Sequence, residues 1–250
     1  MATSCARFFR SVAFLALVAV SAIDASSVSA GNWTGYMNVF NNAAGTQGSY
    51  VFGNPWGVAD LKTTVSNSSS GTIVGDQLVL EPNYNTYTNS LTGNDADRAF
   101  WTDSTDGGVT PGPLGNKWMN ASTFVETANL AVPSYTLAGN VTANTLNTGL
   151  YTAKAFIKVL DPDNGYATVL NDSVTLPGSG PFIVTSNLSL LQGKLLQVGF
   201  SMDGINGNPV DAGANGSVSV SVVPEPSTLA VLAAAGGVSA ITLSRRRRKA

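Results

Sequence analysis

Four aspartates near the middle of the chain form a dense group of carboxylates. Carboxylate and carbonyl oxygens on flexible loops are the ligands that Ca²⁺ prefers. The group is therefore a candidate calcium site, although its spacing does not match an EF-hand loop. Turns closed by aspartate side chains explain the same residues without a metal, so we expect no cofactor, with Ca²⁺ as the alternative. The four lie within twelve residues: Asp95, Asp97, Asp103 and Asp106.

Two of the four tryptophans have neighbours that indicate exposed loops. Trp56 lies between Pro55 and Gly57, and Trp101 is followed closely by Asp103. Aromatic faces stack on sugar rings, while nearby amide and carboxylate groups can bind sugar hydroxyls. Trp56 and Trp101 are thus candidate glycan-binding residues. The alternative is that both pack in a protein core, where tryptophan is common.

The sequence contains no histidine, which excludes several hydrolytic mechanisms. A Ser-His-Asp triad, a Cys-His pair and a histidine-ligated zinc cannot be built from this chain alone. Glycoside hydrolysis needs only two carboxylates. Glu81 and Glu126 are the glutamates available between residues 31 and 223, and nothing in their surroundings marks a catalytic pair. We expect no enzymatic activity, with a secreted glycosidase as the alternative.

Charge is scarce and unevenly distributed. Charged residues make up 11% of the 250 residues, against roughly 25% in an ordinary soluble domain. Residues 31–226 contain six basic and fourteen acidic side chains, a net charge of −8. Phosphate binding requires lysine and arginine to displace counterions. The composition is that of an exported, polar β-protein, and the negative charge argues against nucleic acid or anionic lipid as the partner of this region.

The elements that must position these residues are short strands. Runs rich in Thr, Val, Ile, Tyr and Phe recur between Gly, Asn, Asp and Pro turns, which indicates an all-β fold. Residues 150–160 are the clearest strand, with Phe156 and Leu160 interrupting its polar face. The pattern predicts one antiparallel β-sandwich of jelly-roll type over residues 31–223. Its predicted strands are 36–40, 50–52, 58–65, 72–80, 99–102, 118–126, 135–141, 150–160, 168–176, 182–190, 195–202 and 217–223.

The N-terminus has the three parts of a secretory signal peptide. Arg7 and Arg10 precede an apolar segment at 12–23. Small residues that end at Ala30 follow this segment and form a cleavage site. Cleavage after Ala30 by signal peptidase would follow export through the secretion machinery. Residues 1–30 are therefore predicted to be removed, together with Cys5, the single cysteine. The mature protein would then contain no disulfide.

The C-terminus combines a short motif, an apolar segment and a basic tail. The motif is Pro224-Glu225-Pro226, and the apolar segment covers 228–243. A helix over 227–244 would be about 27 Å long, close to the ~30 Å of a bilayer core. Basic residues stay on the cytoplasmic side, which places the body outside the membrane. The tail consists of Arg245, Arg246, Arg247, Arg248 and Lys249.

This arrangement resembles the PEP-CTERM sorting domain of exported bacterial proteins, with all three parts in order over residues 223–249. The resemblance implies that a membrane-embedded exosortase recognises Pro224, Glu225 and Pro226, cleaves nearby, and transfers or releases the body. The chain would be a substrate of that enzyme, held in the membrane by its C-terminal helix until processing. The body also looks like the β-sandwiches of PEP-CTERM proteins and, more loosely, carbohydrate-binding modules.

Together these features predict an exported protein of the cell surface or extracellular matrix. Its β-sandwich would be structural or adhesive and associated with exopolysaccharide. The alternative is a carbohydrate-binding module with a defined aromatic site. The predicted organisation is a signal peptide at 1–30, a β-sandwich at 31–223 and a sorting signal at 224–250.

Overall fold

The computed structural model describes residues 33–67 and 73–223, which form two antiparallel β-sheets packed face to face. The six-stranded sheet has the order β2-β1-β5-β10-β7-β8 and the five-stranded sheet the order β3-β4-β11-β6-β9. The predicted two-sheet antiparallel sandwich is confirmed. The strands are β1 (Thr34–Ala43), β2 (Thr46–Trp56), β3 (Thr63–Ser66), β4 (Gln77–Leu80), β5 (Lys117–Thr127), β6 (Ser134–Asn144), β7 (Tyr151–Asp161), β8 (Ala167–Thr175), β9 (Gly180–Asn187), β10 (Leu195–Ile205) and β11 (Val218–Val223).

The two ends of the chain, with the predictions that fall on them, lie outside the described residues. These are the signal peptide and its cleavage site at Ala30, the apolar segment 228–243, and the residues of the motif and tail. Among the described residues, no helix has the length and apolar character needed to cross a bilayer. The motif and tail residues are Pro224, Glu225, Pro226, Arg245, Arg246, Arg247, Arg248 and Lys249.

The connection between β4 and β5 is helical and differs from the prediction. It contains α1 (Asn85–Leu91) and α2 (Asp95–Trp101), and a third helix, α3 (Ala212–Asn215), precedes β11. The predicted strand at 99–102 is therefore wrong, because most of it belongs to α2. Asn94 and Asp97 cap this helix reciprocally: the Asn94 side chain accepts from the Asp97 amide (3.0 Å), and the Asp97 carboxylate accepts from the Asn94 amide (3.3 Å). This capping box favours a helix over an extended segment.

Two other predicted strands are shorter than expected. The segment 58–65 begins with turns, and only Thr63–Ser66 pairs in the sheet as β3. Likewise, β4 covers only Gln77–Leu80. Lys62 has a positive φ of 63°, which stops an extended conformation immediately before β3.

The core lies between the sheets and follows the alternation of side chains along each strand. On β7, Ala153, Ala155 and Ile157 are buried on the inner face, as the sequence predicts. Phe200 on β10 is fully buried at the centre. Its ring stacks on Trp33 (6.2 Å between centroids) and meets Phe182 of the opposite sheet edge-on (5.8 Å). Aromatic contact therefore joins the two layers.

Candidate functional site

The outer face of the six-stranded sheet, turned away from the second sheet, is polar and partly aromatic. The register aligns its side chains in rows that cross the strands. One row contains Tyr36, Ser122, Ser201 and Lys154, supplied by β1, β5, β10 and β7. Residues far apart in the sequence therefore lie side by side on one surface.

A groove of about 700 Å³ crosses this outer face. Its volume is within the range of small-molecule binding sites, roughly 300–1,000 Å³. Ser122, Phe124 and Gln197 line it and are almost fully buried, so they form the floor. Tyr166 also lines the groove but is 61% exposed, so it stands at the rim. The complete lining is Thr34, Gly35, Tyr36, Asn38, Pro55, Ser122, Phe124, Glu126, Lys158, Leu160, Gly165, Tyr166, Thr168, Leu195 and Gln197.

A smaller cavity of about 100 Å³ adjoins the groove and shares Ser122 and Lys158 with it. Asp203 is the carboxylate of this cavity. It accepts hydrogen bonds from Lys154 Nζ (2.8 Å) and from the Asn120 side-chain amide. Because the Asp203 carboxylate is nearly buried and accepts both hydrogen bonds, it holds the side chains of Lys154 and Asn120 in place.

A second polar contact orders the groove itself. Gln197 Nε2 donates to Glu126 Oε2 at 2.8 Å. Gln197 lies opposite Glu126 on one side and opposite Lys158 on the other, and Lys158 lies opposite Asn171. The result is a row of hydrogen-bonding groups, Glu126-Gln197-Lys158-Asn171, across four strands.

Lys158 has an unusual environment in this row. Its Nζ lies 5.0 Å from the centroid of the Phe156 ring, a cation–π contact. Burial lowers the pKa of the Lys158 ammonium group, and the charge of Asp203 partly opposes this effect. Within residues 33–67 and 73–223, no carboxylate lies within 4 Å of the Lys158 Nζ.

Two phenylalanines make the apolar part of this face. Phe124 and Phe156 meet edge to face with centroids 6.4 Å apart, and both lie opposite Gly199. A Cβ at Gly199 would collide with the Thr123 carbonyl oxygen and come within 2.6 Å of the Phe124 Cα. Glycine is therefore required here for close approach of β5 and β10 beneath the two rings. Phe156 interrupts the polar face of the predicted strand, and contacts with Phe124 and Lys158 cover part of its ring.

The β7–β8 connection holds Tyr166 at the rim. Gly165 and Tyr166 both have a φ of 60°, which a bulky residue such as tyrosine rarely adopts. The turn is anchored because Lys194 Nζ binds Asp161 Oδ1 (2.6 Å) and lies 3.6 Å from Asp163 Oδ2. The Lys194 hydrogen bond lowers the pKa of Asp161, and the same contact raises the pKa of Lys194. An exposed aromatic ring is thus held in a costly conformation beside the groove.

The two tryptophans proposed from the sequence do not line the groove. Trp101 ends α2 and packs against Phe100 (4.8 Å between centroids) and Phe52 (6.3 Å). Trp56 is the last residue of β2, opposite Gly35, and is half-buried against the core. The loop positions predicted for both are wrong, since one ends a helix and the other a strand. Their contacts are those of packing residues.

Asp95 and Asp97, the first two aspartates of the candidate calcium group, lie in the first turn of α2. Asp97 belongs to the capping box, and Asp95 forms an ion pair with Arg98 one turn later. Acidic side chains stabilise the N-terminus of a helix through its dipole. Both aspartates therefore have local roles in the helix.

Asp103 and Asp106, the other two aspartates, close turns in the following loop. Asp103 Oδ1 accepts from the Leu114 amide at 2.7 Å. Hydrogen bonds from the Thr110 amide (3.0 Å) and the Ser104 hydroxyl (2.8 Å) lower the pKa of Asp106 to about 2. In the described part of the chain, no group of three or more acidic, histidine or cysteine side chains is arranged to hold a metal ion.

The comparisons with known proteins are sparse. No protein-family profile matches the sequence, and no curated protein matches it. One solved structure is similar over 77% of this chain and 73% of its own, with 12% identity and a TM-score of 0.34. Its description concerns the promiscuous specificity of carbohydrate-binding modules from the β-sandwich superfamily. This distant likeness carries no argument about the ligand of the present chain.

Proposed function

We propose that the chain is an exported surface or matrix protein whose jelly-roll-like body binds extracellular polysaccharide on the outer face of the six-stranded sheet. The observation that carries this proposal is the groove itself. It combines exposed and buried aromatic rings with side chains that both donate and accept hydrogen bonds. Sugar rings present the matching chemistry, apolar C–H faces next to hydroxyl groups.

The polar groups of the groove are suited to a neutral or charged sugar because they are already oriented. Gln197 is fixed by Glu126, so its remaining amide hydrogen and carbonyl oxygen point in defined directions. Asn38 lies on the same face, next to Tyr36 along the groove. Groups that are ordered before binding lose less conformational entropy when the ligand arrives.

Binding without hydrolysis is part of the proposal. Glu126 and Asp203 are the carboxylates that line the two cavities. Asp203 lies opposite Asn120, six residues from Glu126 along β5. At about 3.4 Å per residue their backbone positions are about 20 Å apart along the strands. Glycosidases require a pair separated by about 5–10 Å.

Export and sorting rest on the two ends of the sequence. The signal peptide would direct the chain to the secretion machinery, and the apolar segment would hold it in the membrane with its body outside. The resemblance to PEP-CTERM proteins adds an exosortase as the processing partner. Polysaccharide binding by the body would then keep the processed protein in the matrix.

Glycan binding can be tested on the exposed tyrosines of the six-stranded sheet. Affinity electrophoresis through gels containing soluble polysaccharides should retard the protein in at least one of them. Replacing Tyr166 by alanine should weaken the affinity measured from that retardation about fivefold, because stacking of an aromatic ring contributes on the order of 1 kcal/mol. Tyr50→Ala is the matched control, since Tyr50 is equally exposed (59%) on β2 but does not line the groove. Equal loss in both variants, or no retardation in any gel, would contradict the proposed site.

Processing can be tested separately by intact mass spectrometry of the protein from its source cells. A body starting at Gly31 and ending near Pro224 to Ser227 is the expected product. Extra mass on that body would indicate transfer to a surface molecule. A chain that retains Arg245 to Lys249 in both envelope and medium would contradict sorting while leaving glycan binding intact.

A further inference from the structure

The basic residues between residues 31 and 223 differ in which groups compensate their charge. Six of them lie in the described ranges, and four form ion pairs with carboxylates. Lys117 instead donates to Asn41 Oδ1 (3.3 Å) and contacts the Phe100 ring. Among these six, Lys158 alone has neither a carboxylate within 4 Å nor a hydrogen bond to an amide oxygen. Its ammonium group lies over the ring of Phe156, and the charge of Asp203 acts on it from farther away. The four paired residues are Lys62, Arg98, Lys154 and Lys194.

An ammonium group without an ion-paired or hydrogen-bonded partner costs free energy in a recessed position. The cost rises as water is removed, which is why partly buried charges are normally paired. Fourteen acids between residues 31 and 226 offered many ways to supply a partner. Lys154 lies four residues earlier on the same face of β7, and Asp203 is its ion-pair partner. The missing partner of Lys158 is therefore best supplied from outside the chain.

The position of Lys158 indicates where that partner would lie. Lys158 lines both the groove and the smaller cavity, so a ligand in either one reaches its ammonium group. Gln197 and Asn171 flank it in register and can donate to the same ligand. Glu126 lies two strands away, about 10 Å at the usual strand spacing. Across that distance, which equals about one Debye length, its repulsion is weak.

We propose that the groove binds a polysaccharide bearing carboxylates, such as a chain of uronic acids, and that Lys158 Nζ holds one of these carboxylates. This inference rests on the proposed glycan-binding function and names its ligand class. Lys154 plays no such part, because its ammonium group is already bound to Asp203. Tyr166 at the rim would stack on a neighbouring sugar ring.

Isothermal titration calorimetry with the full chain, in a detergent without a sugar headgroup, provides the test. The probes are oligosaccharides of galacturonic, glucuronic, mannuronic and guluronic acid, each paired with its carboxyl methyl ester. At least one acid should bind about 10- to 100-fold more tightly than its ester, the range expected for a hydrogen bond to a charged group. Lys158→Gln should abolish this preference and Lys158→Arg should retain it. Lys62→Gln is the control, because Lys62 lies beside β3 in the other sheet.

Each remaining outcome counts against a different proposal. Esters that bind as tightly as acids, or an acid preference that survives in Lys158→Gln, would overturn the role of Lys158 and leave glycan binding standing. Failure of every oligosaccharide and every exopolysaccharide to bind would overturn the proposed function and this inference with it. Thermal melting of Lys158→Gln verifies its folding, and Lys158→Met supplies a second variant without the charge should the first be unstable.

Discussion

Lys154 and Lys158 project from the same face of β7, yet the structure predicts opposite effects when each is replaced by methionine. Lys154 is paired with a nearly buried carboxylate, whereas Lys158 is partly desolvated without one. Methionine preserves most of the side-chain length and its packing while removing the charge. The pair of variants therefore separates a structural lysine from one that the fold does not need.

The Lys154→Met variant should be destabilised. Its ammonium group lies 2.8 Å from Asp203 Oδ2, and the carboxylate side chain is only 12% exposed. A hydrogen bond to a charged group contributes about 1.5–3 kcal/mol. Lys154 is itself 37% exposed, so solvent screening reduces the expected loss to about 1–2 kcal/mol.

The Lys158→Met variant should be as stable as the wild type, or more stable. Loss of the cation–π contact costs about 0.5–2 kcal/mol, the larger value applying when the site is desolvated. A methionine sulfur against the Phe156 ring returns about 0.3–1.5 kcal/mol, and removal of a desolvated charge adds to stability. The net change should lie between zero and about 1 kcal/mol of stabilisation.

Urea unfolding followed by tryptophan fluorescence measures both changes, since Trp33 stacks on the central Phe200. With a slope of about 2 kcal/mol per molar urea, Lys154→Met should lower the midpoint by about 0.5–1 M. Lys158→Met should leave the midpoint unchanged or raise it. Equal destabilisation of both variants would refute the reasoning, because Lys158 would then be a structural residue.

The pH dependence adds a second check on Lys158. Burial lowers its pKa in the folded protein below the usual 10.5. Just below pH 10.5 the unfolded chain therefore binds more protons than the folded one, so stability rises with pH. The free energy of unfolding of the wild type, relative to Lys158→Met, should increase as the pH approaches 10.5. A flat or falling difference would show that the lysine is fully solvated.

Four further predictions follow from the packing and the turns. Trp101→Ala should lower the free energy of unfolding by about 3 kcal/mol without changing glycan affinity per folded molecule; reduced affinity at unchanged stability would restore Trp101 as a ligand residue. Gly199→Ala should cost about 1–3 kcal/mol, since its Cβ collides with the Thr123 carbonyl, and a wild-type urea midpoint would contradict this. The pKa of Asp106 is lowered to about 2, so this carboxylate should stabilise the fold fully at pH values above 3.8, its usual pKa, and lose that contribution as the pH falls through 2. An NMR titration midpoint near pH 4 would argue against its hydrogen bonds. Addition of Ca²⁺ or of a chelator should leave the melting temperature unchanged, and a rise with Ca²⁺ would reveal a metal site.

Strands could be predicted from the sequence where apolar and polar residues alternate regularly. The prediction failed where helix capping decided the local conformation. The 150–160 prediction differs from β7 by only one residue at each end, because apolar and polar side chains alternate through most of it. The 99–102 prediction failed because a short aromatic run has no period of its own. The capping box formed by Asn94 and Asp97 could have indicated the helix.

The site could not be predicted in the same way. Neighbouring residues in the sequence were the only guide to exposure. They favoured Trp56 and Trp101, because small and polar residues flank both tryptophans. The groove instead joins residues such as Tyr36, Glu126 and Gln197 from three strands. Polar residues at alternate positions of β5 and β10 indicate that one face of each strand is turned outward. They do not indicate which strands lie beside each other in the sheet.

By itself, the sequence determined the absence of histidine, the acidic charge of residues 31–226 and the strand-rich pattern, and it predicts signals at both ends. Composition and local periodicity suffice for such properties because they depend on residue types and near neighbours. Only the tertiary structure decided that Lys154 meets Asp203 and that Lys158 meets no carboxylate. Strand order and register set those distances, and both arise from packing between segments far apart in the sequence. Lys154 and Asp203 themselves are 49 residues apart.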